Sequence, residues 1–254
     1  MLRMNCIATT SLIVLATASV SQAAIGPVTS FGTLQSEDFN GLANTGTPNL
    51  STIPLEFIVV ETGTAANTTY SAGTGSGATG DTISYGAASS TERALGQLQS
   101  GTLASTPGLK ITNSVSGGTL QSLFVSYRGE QWRLGATGRT DKYDFQYSLN
   151  ATSPTTGTWV DVDALDFTAP VTTGSTGALD GNVNAVALSS TITGLSIANG
   201  SSFWLRWLDL NPTGADDGLA IDDVSVRAAG VVPEPTTLAA LAGIGLIALR
   251  RRKA

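Results

Sequence analysis

Lys142-Tyr143-Asp144-Phe145-Gln146-Tyr147-Ser148-Leu149 is the stretch whose reading decides the fold class. Tyr143, Phe145, Tyr147 and Leu149 fall on one face of an extended chain. Lys142, Asp144, Gln146 and Ser148 fall on the other. That alternation is the pattern of a strand with one face in a core and one in water. Working outward, Leu123, Val125 and Tyr127 alternate in the same way within Leu120 to Tyr127. Phe203, Leu205 and Trp207 interleave with Trp204, Arg206 and Leu208, which predicts a strand covered on both sides. Further strands are expected over Glu37–Leu42, Leu55–Glu61, Thr82–Tyr85, Ala94–Gln99, Leu109–Asn113, Trp159–Val162, Ala187–Ile192 and Leu219–Val226. No segment of the body has a helical period. Short strands separated by Gly-, Ser- and Asn-rich turns predict an all-β antiparallel sandwich. Thr62–Gly80 and Thr168–Val183 are low in complexity and are expected to be long surface loops.

Both ends of the chain have a different composition. At the N-terminus Arg3 precedes an apolar stretch from Ile7 to Val20, followed by Ser21-Gln22-Ala23. Too short and too rich in Ser and Thr to span a bilayer, this stretch is expected to be a signal-peptide helix, residues 1–23, cut by signal peptidase after Ala23 or after Ala24. At the C-terminus Pro233-Glu234-Pro235 precedes an apolar run from Thr236 to Leu249, then Arg250-Arg251-Arg252-Lys253. As a helix the run is about 21 Å long, shorter than a comfortable span. A short transmembrane helix with a basic stop on the cytoplasmic side is expected, giving transient inner-membrane association. Residues 24–230 form the body between these segments, with no break that divides it.

Composition removes whole classes of function. The chain of 254 residues carries 13 basic and 19 acidic residues. Arg3, Arg250, Arg251, Arg252 and Lys253 all lie in the end segments, so the body is more acidic than the chain. An acidic body does not suit the phosphates of nucleic acid. There is no histidine, hence no imidazole base and no His-ligated metal. The single cysteine is Cys6 in the leader, so the body has no disulfide, thiol nucleophile or Cys-ligated zinc.

The order Pro233-Glu234-Pro235, then a helix rich in Gly, Ala and Leu that includes Gly243 and Gly245, then a terminal Arg cluster, resembles the PEP-CTERM sorting signal. The resemblance covers residues 231–254. It implies a partner, a membrane-embedded exosortase that removes the tail as the protein is released or attached outside. It implies a Gram-negative bacterium that makes exopolysaccharide. Asp38-Phe39-Asn40-Gly41-Leu42, Glu92-Arg93-Ala94-Leu95-Gly96, Tyr127-Arg128-Gly129-Glu130-Gln131-Trp132-Arg133, Leu205-Arg206-Trp207-Leu208-Asp209 and Ile221-Asp222-Asp223-Val224-Ser225-Val226 together resemble a jelly-roll-like domain of secreted bacterial proteins. Carbohydrate-binding jelly rolls are also similar at the last strand. There an acidic residue near the first strand and an Asp on the last share a structural calcium. Here that implies Glu37 or Asp38 with Asp222 or Asp223, and Asp38, Asp222 and Asp223 are the candidate metal ligands.

Other constellations are weaker. Asp209, Asn211, Asp216, Asp217, Asp222 and Asp223 make the densest acidic segment, either a calcium-binding loop or a solvated turn. Asp161 and Asp163 share a strand face and are the best candidate pair for a glycan hydrolase. Trp132, Trp159, Trp204 and Trp207 suit either a core or a sugar-stacking platform. Glu130 and Arg133 flank Trp132 and are expected to pair with Arg206 or another strand. Gly75, Gly77 and Gly80 match a dinucleotide fingerprint by spacing only, because a strand and not a helix is expected after them.

The leading functional reading is a non-enzymatic cell-surface or extracellular-matrix protein, exported across the inner membrane, sorted by exosortase and binding exopolysaccharide. The alternative is a glycan-active hydrolase using an Asp pair.

Overall fold

A computed structural model describes residues 23–233. The expected leader helix and membrane helix, with Glu234, Pro235, Arg250, Arg251, Arg252 and Lys253, lie outside the described residues. Pro233 is described and exposed at the end of the body. Among the described residues no helix is long and apolar enough to cross a membrane.

The strands are β1 (Ala23–Ala24), β2 (Leu34–Glu37), β3 (Phe57–Thr62), β4 (Ser71–Gly73), β5 (Asp81–Tyr85), β6 (Ala94–Leu98), β7 (Ala104–Thr112) and β8 (Thr119–Leu134). There follow β9 (Lys142–Ser148), β10 (Val160–Asp161), β11 (Phe167–Thr168), β12 (Gly177–Ala178), β13 (Ala185–Ile192), β14 (Ile197–Ala198), β15 (Ser202–Asp209) and β16 (Gly218–Val231). Two 3₁₀ turns, Leu50–Thr52 and Asp163–Leu165, are the helical elements among the described residues. The body is therefore all-β, as the alternation predicts.

Two sheets make the sandwich. In the larger, β16 lies between β8 on one edge and β2 and β6 on the other; β5 and β4 continue beyond β6, and β12, β13 and β14 pair the far edge of β8. The smaller runs β10-β9-β15-β7-β3, with β11 also on β9. Pairing is antiparallel except for β1 with β2 and β4 with β5.

The apolar faces meet as their period requires. Tyr143 and Phe145 of β9 and Phe203, Leu205 and Trp207 of β15 pack against Leu123, Val125 and Tyr127 of β8. Each is at most 2 % exposed. The two-sided covering expected for β15 is present, since Trp204 on its other face is also buried. A second apolar cluster, Ile83, Tyr85, Ala94, Leu98, Trp132 and Ala220, lies on the outer face of the larger sheet.

Several boundaries differ from expectation. Residues 38–42 turn instead of extending β2, with Phe39 buried at φ +51°. β8 and β16 are longer than the alternation suggested, because they pair each other along most of their length and backbone bonding does not need an apolar period. Residues 62–80 are not only a surface loop: β4 pairs with β5, and Gly75 lies against the Trp132 carbonyl. Residues 168–183 likewise supply the end of β11 and all of β12, and Gly181 packs against the Trp132 ring. The strand after Gly80 confirms that the glycine spacing there starts no helix.

One irregularity in β16 positions the acidic side chains. Leu219 and Ile221 point into the core, and so do Val224 and Val226. That change of parity needs one extra residue, and the register shifts between Asp222 and Ser225. Asp223, at φ +49°, occupies the bulge.

Candidate functional site

The acidic segment 209–223 is divided among three places. Asp209, Asp216 and Asp217 meet Asp141 and Arg139 where the loop after β15 returns to β16. The Arg139 guanidinium stands 3.1 Å from Asp141, 3.6 Å from Asp217 and 3.9 Å from Asp216. Asp217 accepts from Gly135 N–H at 2.7 Å and Gln131 Nε2 at 2.8 Å. Asp209 accepts from Gln97 Nε2 at 3.1 Å. Burial, then the Asp141 charge, raises Asp209 well above the ordinary carboxyl range and Asp216 to about 6.

The second place is the outer face of the larger sheet. Asp222 shares the face of Ala220, Glu130 shares that of Trp132, and Glu92 precedes β6. One carboxylate oxygen from each of the three lies within 4.8 Å of the other two. Glu130 is fully buried and Asp222 is 6 % exposed. Trp132 Nε1 donates to Glu130 Oε2 at 2.9 Å, and Asn182 Nδ2 donates to Glu92 Oε2 at 2.8 Å. Among the described residues, Glu92 Oε1, Glu130 Oε1 and Asp222 Oδ1 are buried without a hydrogen-bond partner. Burial pushes Glu130 up to about 7 and Asp222 up to about 8, and nearby carboxylates add to both shifts.

The third place is a cavity of about 560 Å³ lined by Ala24, Ser36, Glu37, Asp38, Asp223 and Ser225. Here burial, with the Asp38 charge adding, raises Glu37. So Asp38 and Asp223 line one cavity, while Asp222 on the opposite face of β16 joins Glu92 and Glu130. Sequence reasoning did not reach Glu92 and Glu130 as partners of Asp222. Their one signal was that both stand beside strand residues of the jelly-roll-like segments.

The remaining candidates are dispersed. Asp161 sits exposed on the short edge strand β10 and accepts from Gln146 Nε2 at 2.5 Å; Asp163 opens a 3₁₀ turn, also exposed. Trp132, Trp204 and Trp207 are core residues. Trp159 is half-buried, and its ring carries the Arg206 guanidinium at 4.1 Å. Arg206 bonds Gln146, not Glu130, and Arg133 donates to the carbonyls of Gly75 and Ser76, which corrects the expected pairing. A further cavity of about 330 Å³ under β4 and β5 is lined by residues including Asn44, Ser71, Gly77, Asp81, Tyr85 and Arg93. Arg93 is buried there with no carboxylate of the described residues bonded to it, donating to Ser84 Oγ and to the carbonyls of Ser84 and Gly73.

The body is thus an all-β sandwich carrying grouped carboxylates on its larger sheet. Beginning at the last residue of β16, residues 231–253 match the PEP-CTERM protein-sorting motif. No curated protein matches the chain. Among solved structures, the body is similar to the CBM22-1 xylan-binding domain of Paenibacillus barcinonensis Xyn10C, at 13 % identity and TM-score 0.33, over 59 % of this chain and 80 % of that one. It is similar to the K3 cleaved adhesin domain of Lys-gingipain from Porphyromonas gingivalis, at 13 % identity and TM-score 0.38, over 73 % of this chain and 99 % of that one. It is also similar to an isomalto-dextranase of Arthrobacter globiformis T6, at 14 % identity and TM-score 0.32, over 79 % of this chain and 33 % of that one.

Proposed function

We propose that the protein is a non-enzymatic surface or matrix component of a Gram-negative bacterium. It is exported across the inner membrane, freed of its leader by signal peptidase, held briefly by its tail helix, and sorted by exosortase. The observation that carries this reading is the sorting motif at residues 231–253, which begins at the last residue of β16.

The body is proposed to hold exopolysaccharide. The cavity under β4 and β5 supports this: hydroxyl and amide side chains of Asn44, Ser71, Thr74, Ser76 and Thr79 are among its lining, a chemistry suited to a polyhydroxylated ligand. Its lining includes one carboxylate, Asp81, and so no flanking acid–base pair. Affinity electrophoresis through the producing strain's exopolysaccharide tests this. Retardation is expected. Gly77→Leu should abolish it, because a Cβ at Gly77 meets nothing within 4 Å and the added side chain narrows the cavity without disturbing the fold. Unretarded wild-type protein rejects glycan binding.

The second reading, a glycan hydrolase, is favoured by the cavity of Glu37, Asp38 and Asp223, where a carboxyl held up by burial stands among others. It predicts new reducing ends from the same polysaccharide, lost in Glu37→Gln.

A further inference from the structure

We propose that Glu92, Glu130 and Asp222 bind a calcium ion that ties the segment entering β6 to β16 and β8 across the outer face of the larger sheet. The site shares Asp222 with the pairing that the jelly-roll resemblance implies, but its other ligands are Glu92 and Glu130, on the opposite face of β16 from Glu37, Asp38 and Asp223. It stands whether or not the body binds a glycan.

The geometry is that of a convergent donor set. Each carboxylate brings one oxygen to within 4.8 Å of the other two, and each has one buried oxygen without a hydrogen-bond partner among the described residues. On the two glutamates the other oxygen is held by a neutral donor, Trp132 Nε1 or Asn182 Nδ2. Those donors orient the carboxylates without neutralising them. Among the described residues the positive group paired with the cluster is Arg128, whose Nε is 3.8 Å from Glu130 Oε1 and whose side chain is 38 % exposed. Three negative charges against one partly solvated positive charge leave about two to be compensated. Asp223 adds further negative potential at Glu130 and Asp222.

A buried, unpaired carboxylate is costly. A fully buried glutamate with one oxygen unbonded, grouped with two more carboxylates, therefore calls for a cation or for protons. Oxygen–metal distances in calcium sites are about 2.3–2.6 Å, so two ligands of one ion lie at most about 5 Å apart. Three oxygens within 4.8 Å of one another meet that limit. All-oxygen donors, in a body without histidine or cysteine, select a hard cation over zinc or copper. Donors placed by strand register suit the irregular coordination of calcium better than the strict octahedron of magnesium. The bulge at Asp223 is the device that makes the site, because it keeps Asp222 on the outer face while Val224 returns to the core.

The test is thermal unfolding of the exported, processed protein at pH 7.5, in chelator and in millimolar calcium, with magnesium as a separate arm. Calcium at a hundredfold excess over its Kd should raise Tm by about 5–10 °C, and magnesium should do much less. Glu130→Gln and Asp222→Asn should lose the calcium response. In chelator Glu130→Gln should melt no lower than wild type, because the change removes a charge from the cluster while keeping its shape. Asp223→Asn should keep the response. Terbium bound at the site should show emission sensitised by Trp132, displaced by calcium. An unchanged wild-type Tm with calcium overturns the proposal. So does a full calcium response in Glu130→Gln, which would place the ion elsewhere, or an equal response to magnesium.

Discussion

Phe145 and Trp207 are direct partners across the neighbouring strands β9 and β15, their rings edge to face with centroids 5.3 Å apart and planes at 83°. Tyr127, from the opposite sheet, meets the same indole edge-on at 5.6 Å. These three rings sit at the centre of the sandwich.

Phe145→Asp would place a carboxylate in that centre with no partner. The cost of several kcal/mol is comparable with the whole stability of a domain, so the cooperative unfolding transition seen by near-ultraviolet circular dichroism should disappear. Asp144→Ser, one residue away, should be nearly silent. Asp144 pairs with Lys142 at 3.2 Å on a partly exposed face, and such pairs contribute about 1 kcal/mol or less.

Gly129 lies in β8 beneath Phe167. A Cβ there would stand 2.1 Å from the Phe167 ring carbon Cγ. Gly129→Ala should therefore destabilise the body by about 1–3 kcal/mol through overpacking. An unchanged urea midpoint would mean that Phe167 does not cover this strand.

Arg139 is the cation bonded among Asp141, Asp216 and Asp217. With Arg139→Met these mostly buried carboxylates lose their compensation, at a cost of about 3 kcal/mol. Urea unfolding reads the difference. A loss below about 0.5 kcal/mol would show that the cluster is neutralised by other means.

The same cluster sets a pH dependence. Burial holds Asp216 at about 6 against an ordinary 3.8, with the Asp141 and Asp217 charges raising it and Arg139 opposing them. A folded-state value raised above the unfolded one means that the folded chain keeps a proton that the unfolded chain releases. Its contribution is fully present below about pH 4 and is lost as pH rises through about 6. Asp209, raised by the same causes, has the same sign. Urea midpoints should fall between pH 4 and 7, and Asp216→Asn should flatten that fall.

Processing gives the last prediction. Intact mass of the released protein should lack residues 1–23 and the segment beyond Pro233–Pro235. Glu234→Ala should block release while leaving the circular dichroism of the body unchanged. Stable recovery of residues 236–254 in the envelope would overturn the sorting reading.

The strands were legible where one face is apolar and the other polar. Lys142–Ser148 and Ser202–Asp209 extend almost as their alternation predicts, because period two is a local property that survives without knowledge of neighbours. The tail was legible for the same reason: the order of Pro233-Glu234-Pro235, apolar run and basic end is linear information. The carboxylate sites were not. Asp222 and Asp223 are adjacent in the chain, yet one turns to Glu92 and Glu130 and the other to Glu37 and Asp38. That separation depends on a single bulge in β16, and on β6 and β8 flanking it from far along the sequence. Sequence by itself determined the all-β class, the acidic, histidine-free chemistry and the sorting tail, since each follows from composition or local period. Which acids stand together was decided only in the tertiary structure, because cross-strand register and a one-residue bulge choose the face each side chain takes, and burial then sets the charge it can carry.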